Sequence, residues 1–442
     1  MRHFKILATA LGAALLVAGC GGGGDGDQAP KIKFTSMVSF GDSLSDIGTY
    51  RVGPVAALGG GRFSINPADP KTATNWTELI AAQVGLPAPC AARTGGFGVS
   101  ESTPNSALGC RNYAQGGARV TDPKGNGNPV GVGFTAGPLT EPIVTQIANY
   151  AIDNGSTNFS GKELVTMLAG GNDVLLLLDG LSTAATAAGQ LAFGNSLVGQ
   201  LAAGATDPAA AALAIGQALL TESARTGHTD QSVVAEAVIA AATQAGNSAV
   251  GSLAVYGPMV VAAQTAGTTA GTAYATANGP ALVPQMATAG TTLAGYIKDY
   301  IVGKGAKYVA VVNLPDVSLT PAGRANSAQT QGLINVMVTT FNGALQLGLS
   351  GTGVIIVDAY SDNRNQAVNP ASYALTNVTD MACNLTKPSP NALGSSLVCN
   401  AGNLNTGDVS HYLFADSVHP TPYGYKLLAQ LTAKSLVLAG WL

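Results

Sequence analysis

Short apolar runs rich in β-branched residues recur along the chain, each followed by a glycine or asparagine turn: Phe34 to Phe40, Leu164 to Leu168, Tyr308 to Val312 and Gly353 to Val357. Such runs predict strands that feed loops in an α/β protein. A shorter strand is expected to end near Tyr113. Helical spacing falls between the runs, as from Trp76 to Val84, where apolar positions recur every three or four residues. The last helix is the best defined. Thr421 stands as its N-cap and Pro422 as its first residue, and Leu427, Leu428, Leu431 and Leu436 would line a buried face. Strands alternating with helices argue for a mostly parallel sheet covered on both sides.

Between Asn172 and Tyr308 the pattern changes to a long stretch of alanine, glycine and threonine, including Asp207 to Leu213 and Val234 to Val238. Helices are expected there, as an insertion at about residues 180–295. It is either helical packing beside the core or a cap that shapes a substrate pocket. No fixed-period repeat is evident in it.

Composition narrows the class. The chain has 442 residues, enough for a large single core or for one domain with a substantial insertion. Only 10% of residues are charged and the net charge is -3, so there is no basic field to hold nucleic acid. Residues 1–19 read as an export signal: Arg2, His3 and Lys5 precede an apolar stretch, and small residues lead to Cys20. Val17-Ala18-Gly19-Cys20 resembles the lipobox of bacterial lipoproteins, which implies an acylated Cys20 as membrane anchor. Residues 20–32 would form a glycine-rich tether, and residues 33–442 a single domain. With Cys20 set aside, Cys90, Cys110, Cys383 and Cys399 remain. Sequence proximity favours Cys90 with Cys110 and Cys383 with Cys399, among three connectivities. A zinc site is the weaker reading, since no Cys-x-x-Cys occurs.

Four separated segments carry candidate chemistry. Phe40-Gly41-Asp42-Ser43-Leu44-Ser45-Asp46 places a serine in a turn at the end of the first strand. Asn112-Tyr113-Ala114-Gln115-Gly116-Gly117-Ala118 holds two glycines, and Gly170-Gly171-Asn172-Asp173 closes the strand Leu164 to Leu168. Asp416-Ser417-Val418-His419 spaces a carboxylate three residues before an imidazole, close enough to reach Nδ1 while Nε2 faces a serine. His411 and His228 are the remaining histidines beyond the N-terminal segment; a surface or cap role suits the first and a polar loop the second. No Gly-x-Ser-x-Gly elbow is present.

Together these four segments resemble the blocks of the GDSL, or SGNH, hydrolase family, and Asn313-Leu314-Pro315-Asp316 is similar to a further segment of its larger members. The resemblance spans roughly residues 34–440, with the alanine-rich stretch as its main departure. It implies a three-layer α/β/α fold, flavodoxin-like, with a central parallel sheet of about five strands. It also implies a serine esterase or lipase in which Ser43 is the nucleophile, His419 the base and Asp416 the carboxylate orienting it. Ser43, Gly117 and Asn172 would form the oxyanion hole, Gly117 rather than Gly116 because it stands five residues after Asn112. Asp46 and Asp173 would support loop geometry. No metal or organic cofactor is called for. The expected partner is a lipid or short acyl ester, and the protein is expected to be an exported monomer, an outer-membrane lipoprotein or extracellular. Acyltransfer from the same acyl-enzyme and a non-catalytic surface binding role are the competing readings.

Overall fold

The computed structural model describes residues 32–95, 103–105, 109–121 and 140–442; the segment expected to be an export signal and nearly all of the expected tether lie outside the described residues. Strand β1 (Ser36–Gly41) leads to the short helix α1 (Gly53–Ala57) and to α2 (Trp76–Gln83). A small antiparallel ribbon of β2 (Arg93–Thr94) and β3 (Thr103–Pro104) precedes α3 (Ile143–Asp153) and β4 (Glu163–Leu168). The alanine-rich stretch is helical as expected: α4 (Gly171–Ala202), α5 (Pro208–Ser223), α6 (Asp230–Ala242), α7 (Leu253–Asn278) and α8 (Leu282–Tyr300). After it come β5 (Tyr308–Val312), α9 (Pro321–Arg324), α10 (Ala328–Leu349), β6 (Ile355–Val357) and α11 (Ala359–Val368). The parallel pair β7 (Asn377–Met381) and β8 (Tyr412–Phe414) then delivers the chain to α12 (Pro422–Leu438).

The main sheet is parallel throughout, in the order β1-β4-β5-β6. Four strands stand where about five were expected. The place beside β1 is taken by the segment around Asn112, which makes a single parallel bridge to Ser39. The Ser39 N–H donates to Arg111 O and the Tyr113 N–H to Ser39 O, at 3.1 and 2.7 Å. The ladder stops there because Asn112 is also bridged to Ala91 on its other side and the chain turns at Gly116 and Gly117.

Strand alternation sorts the core into two layers. Val38, Phe40, Val165, Met167, Val309 and Val311 face α3, α8 and α10, whose Ile143, Ile147, Leu293, Ile297, Met337 and Phe341 are buried against them. Met37, Leu164, Leu168, Ala310 and Val312 face α2 and α12 through Trp76, Ile80, Tyr425, Ala429 and Leu436. Both faces are therefore covered, which is why the strands read as nearly continuous apolar runs. The end of the chain forms as its signals predict: Thr421 Oγ1 accepts from the Gly424 N–H, and Pro422 opens α12. Leu427 and Leu436 are buried while Leu428 and Leu431 are half-buried against the sheet.

Helices α4 to α7 carry a separate apolar cluster, including Leu197, Leu201, Ile215, Val238 and Val250, distinct from the two sheet layers. Helix α4 is long and apolar enough to cross a membrane by length and composition, and most of its apolar length is not buried. It lies along α7, where Gly189 and Gly267 let the backbones approach until an added Cβ on either would sit 2.9 Å from the other's carbonyl oxygen. The two disulfides are Cys90–Cys110 and Cys383–Cys399, as sequence proximity favoured. Paired cysteines of this kind suit an oxidising, exported setting.

Candidate active site

The loops that follow β1, β4 and β8 carry three of the four candidate segments. β1 ends at Gly41, where any side chain would clash: an added Cβ would sit 2.5 Å from Leu168 O at the end of β4. The chain then folds into a tight turn. Asp42 accepts from the Leu44 N–H through Oδ1 at 3.0 Å, and its carbonyl accepts from the Ser45 and Asp46 N–H groups. Ser43 sits at the crest of this turn and is 7% exposed. Gln146 of α3 braces the turn's base, accepting from the Gly41 N–H and donating to Gly41 O at 2.9 and 2.8 Å.

The structure brings Ser43, His419 and Asp416 into one hydrogen-bonded chain. His419 Nε2 is 2.7 Å from Ser43 Oγ, and His419 Nδ1 is 2.7 Å from Asp416 Oδ2. Asp416 Oδ1 accepts from the Val418 and His419 N–H groups at 2.9 and 2.7 Å, so the three-residue offset closes a compact loop. Burial pushes the Asp416 carboxyl up, but the charge and hydrogen bond of His419, with Ser396 and the Val418 N–H, outweigh it and bring it down to about 2. An ionised carboxylate only accepts, so the shared proton sits on Nδ1 and leaves Nε2 free to accept from Ser43. The Phe63 ring packs 5.0 Å from the imidazole.

The glycine and asparagine segments are tied to the same turn. Asn112 donates to Ser45 O at 2.9 Å, and Asp46 accepts from the Gly48, Thr49 and Gly116 N–H groups. Gly117 has φ +83°, a conformation that favours glycine. Gly116 has committed its N–H to Asp46, whereas the Gly117 N–H makes no hydrogen bond among the described residues. Asn172, in the first turn of α4, donates one side-chain hydrogen to Ala118 O at 2.9 Å, joining the β4 loop to the glycine segment. Its neighbour Asp173 accepts from Arg119 Nε and the Val120 N–H. Asp46 and Asp173 thus hold loops together, as expected of them.

Three buried carboxyls here stand above their ordinary range, Asp173 among them because burial outweighs Arg119 and the Val120 N–H. Burial raises Asp42 to about 7 against the pull of the Leu44 N–H and His419, and burial raises Asp46 to about 6 against its three backbone donors. The segment after β5 meets the site indirectly: the Ala322 N–H, at the start of α9, donates to Ser417 O at 2.9 Å. His411 packs its ring on Tyr423 and shares a hydrogen bond with Ser410, and His228 is exposed in a loop with Nδ1 on Arg225 O. Three contributors escaped the sequence reading: Gln146, Phe63 and Ser396, whose hydroxyl donates to Asp416 Oδ2. None sits in a motif; Ser396 stands three residues before Cys399, and that disulfide was the only clue to its neighbourhood.

An α/β protein with a serine, an imidazole and a carboxylate linked at the carboxyl ends of its strands belongs to an architecture that binds ligands at that edge. No family model matches the chain. It is similar to two curated proteins named Esterase EstA, one from Pseudomonas aeruginosa and one from Pseudomonas putida. Each is 33% identical over 146 residues, which cover 31% of this chain and 20% of the relative. The chain thus spans about a fifth of the length of the relatives it matches.

Proposed function

We propose that this chain is a serine ester hydrolase of the GDSL, or SGNH, type, cleaving carboxylic esters through an acyl-enzyme on Ser43. The observation that carries the reading is the pair of 2.7 Å contacts placing one imidazole between Ser43 Oγ and Asp416 Oδ2. The likeness to proteins named as esterases supports it. As Ser43 Oγ attacks the ester carbonyl carbon, its proton passes to His419 Nε2, and Asp416 stabilises the imidazolium. The oxyanion is held by the Gly117 N–H, the second side-chain hydrogen of Asn172 and the Ser43 N–H. Collapse breaks the ester C–O bond, His419 returns the proton to the leaving alcohol, and the same imidazole then deprotonates the water that hydrolyses the acyl-enzyme. The domain would run over residues 33–442, exported by residues 1–19 and tethered through an acylated Cys20, with lipid or short acyl esters as substrates.

Treatment of the full chain with a fluorophosphonate tests this. Mass spectrometry should find one adduct per chain, on the peptide containing Ser43, and prior incubation with a hydrolysable ester should slow its formation. A chain that stays unmodified while a known serine esterase is labelled alongside it would overturn the reading.

A further inference from the structure

We propose that Ser396 is a positioning residue for the Asp416–His419 pair, held in place by the Cys383–Cys399 disulfide. The inference rests on the reading of Ser43, His419 and Asp416 as an esterase triad. A carboxylate offers about four lone-pair sites, and in Asp416 all are used. Oδ1 takes the Val418 and His419 N–H groups, and Oδ2 takes His419 Nδ1 and the Ser396 hydroxyl. Ser396 is fully buried, and its single O–H is spent on Asp416 because the carboxylate has no proton to give.

The backbone around Ser396 is fastened independently of that hydroxyl. Asn66 Nδ2 donates to Ser396 O at 3.2 Å, the Cys399 N–H donates to the same carbonyl at 3.0 Å, and the Leu397 N–H donates to Ser395 Oγ at 3.1 Å. Across the disulfide, the Cys383 N–H donates to Ala415 O and the Ala382 N–H to Phe414 O, both at 2.9 Å. The disulfide therefore ties the segment bearing Ser396 to the segment after β7, which is in turn hydrogen-bonded along the chain running from β8 into Asp416. The ionisable groups that face the pair are Asp42, from the turn after β1, and Tyr425, from α12. Among the described residues neither is hydrogen-bonded to Asp416, so Ser396 alone supplies the second donor on Oδ2.

Removing that donor frees Oδ2 to turn and makes it a stronger acceptor toward the imidazole. In the full chain, Ser396→Ala should lower kcat/KM about 10-fold per titrated site, the size expected for a lost hydrogen bond to a charged group. A loss of packing alone would not move the next two readouts. The acid limb of the kcat/KM profile should shift to higher pH, because the stronger acceptor stabilises the imidazolium. The low-field NMR resonance of the Nδ1 proton should move further downfield. Ser396→Cys, which keeps the bulk and weakens the donor, should show the same two shifts. The double variant Cys383→Ser/Cys399→Ser should lose activity with Ser396 present and lose little more when Ser396→Ala is added. An unmoved limb and resonance in Ser396→Cys, or fully additive losses, would overturn the proposal. Ser43→Ala is the control that separates the two claims: wild-type ester turnover in it would sink the esterase reading, while the Nδ1 resonance would still judge Ser396.

Discussion

At the scale of single residues, some polar groups of the site point at one another and others are forced to share the interior. Asn172 spends one amide hydrogen on Ala118 O, and in the proposed mechanism the other is the one that donates to the oxyanion. Asn172→Ala should therefore cut kcat by about 100-fold to 1,000-fold with KM little changed, as loss of an oxyanion donor does. Asp42 makes a prediction of opposite character. Its carboxyl is raised from 3.8 to about 7 by burial, so its favourable contribution to folding is complete below 3.8 and is lost as pH rises toward 7. Asp42→Asn, which keeps an acceptor for the Leu44 N–H, should raise Tm at pH 8, and that gain should vanish at pH 4. Calorimetry of the two proteins across this range checks the sign. The sequence made Ser43, Asp416 and His419 legible as candidates because each lies in a segment whose order and spacing carry meaning. Gln146, Phe63 and Ser396 were illegible because they reach the site only through tertiary packing, from a helix face and from loops with no local signature.

At the scale of elements, strands end where the candidate site begins, and short-range signals decide the ends. Thr421 caps α12 by accepting from the Gly424 N–H and also donates to Tyr412 O at 2.5 Å, fixing the chain two residues after His419. Thr421→Ala should cost about 1 kcal/mol, the usual size for a lost N-cap. The loss should be read as a lower urea midpoint with an unchanged m-value. The cap and Pro422 were legible in sequence for the same local reason. Strand number was not. Apolar runs announce β1, β4, β5 and β6, but whether the segment at Asn112 becomes a strand depends on Ala91 and the glycine turn competing for its backbone. Helix identity in the alanine-rich stretch was legible from composition, whereas its packing was not, since glycines such as Gly189 and Gly267 act only once two helices meet.

At the scale of the whole molecule, the sheet and its flanking helices form one body of packing and α4 to α7 add another. No charged side chain occurs between Glu236 and Lys298, which takes in all of α7, and the helical arm of α4 to α7 shares a cluster of apolar side chains. All the buried members of its cluster lie between Leu197 and Ala263, and Phe193 meets Gly267 where α4 and α7 pass. Joining Gly194 to Gln264 through a short Gly-Ser turn should therefore leave the sheet and the Ser43 loop folded. The shortened protein should keep its turnover of p-nitrophenyl acetate; a selective loss on the palmitoyl ester would mark the arm as a substrate cap. The measurement that bears most directly on the central claim is simpler. Hydrolysis of p-nitrophenyl esters from acetyl to palmitoyl should be compared between the full chain and Ser43→Ala, with folding of both checked by circular dichroism. The account predicts turnover that disappears in the variant across the series, with a chain-length optimum in the parent. Equal rates in the two folded proteins would contradict it.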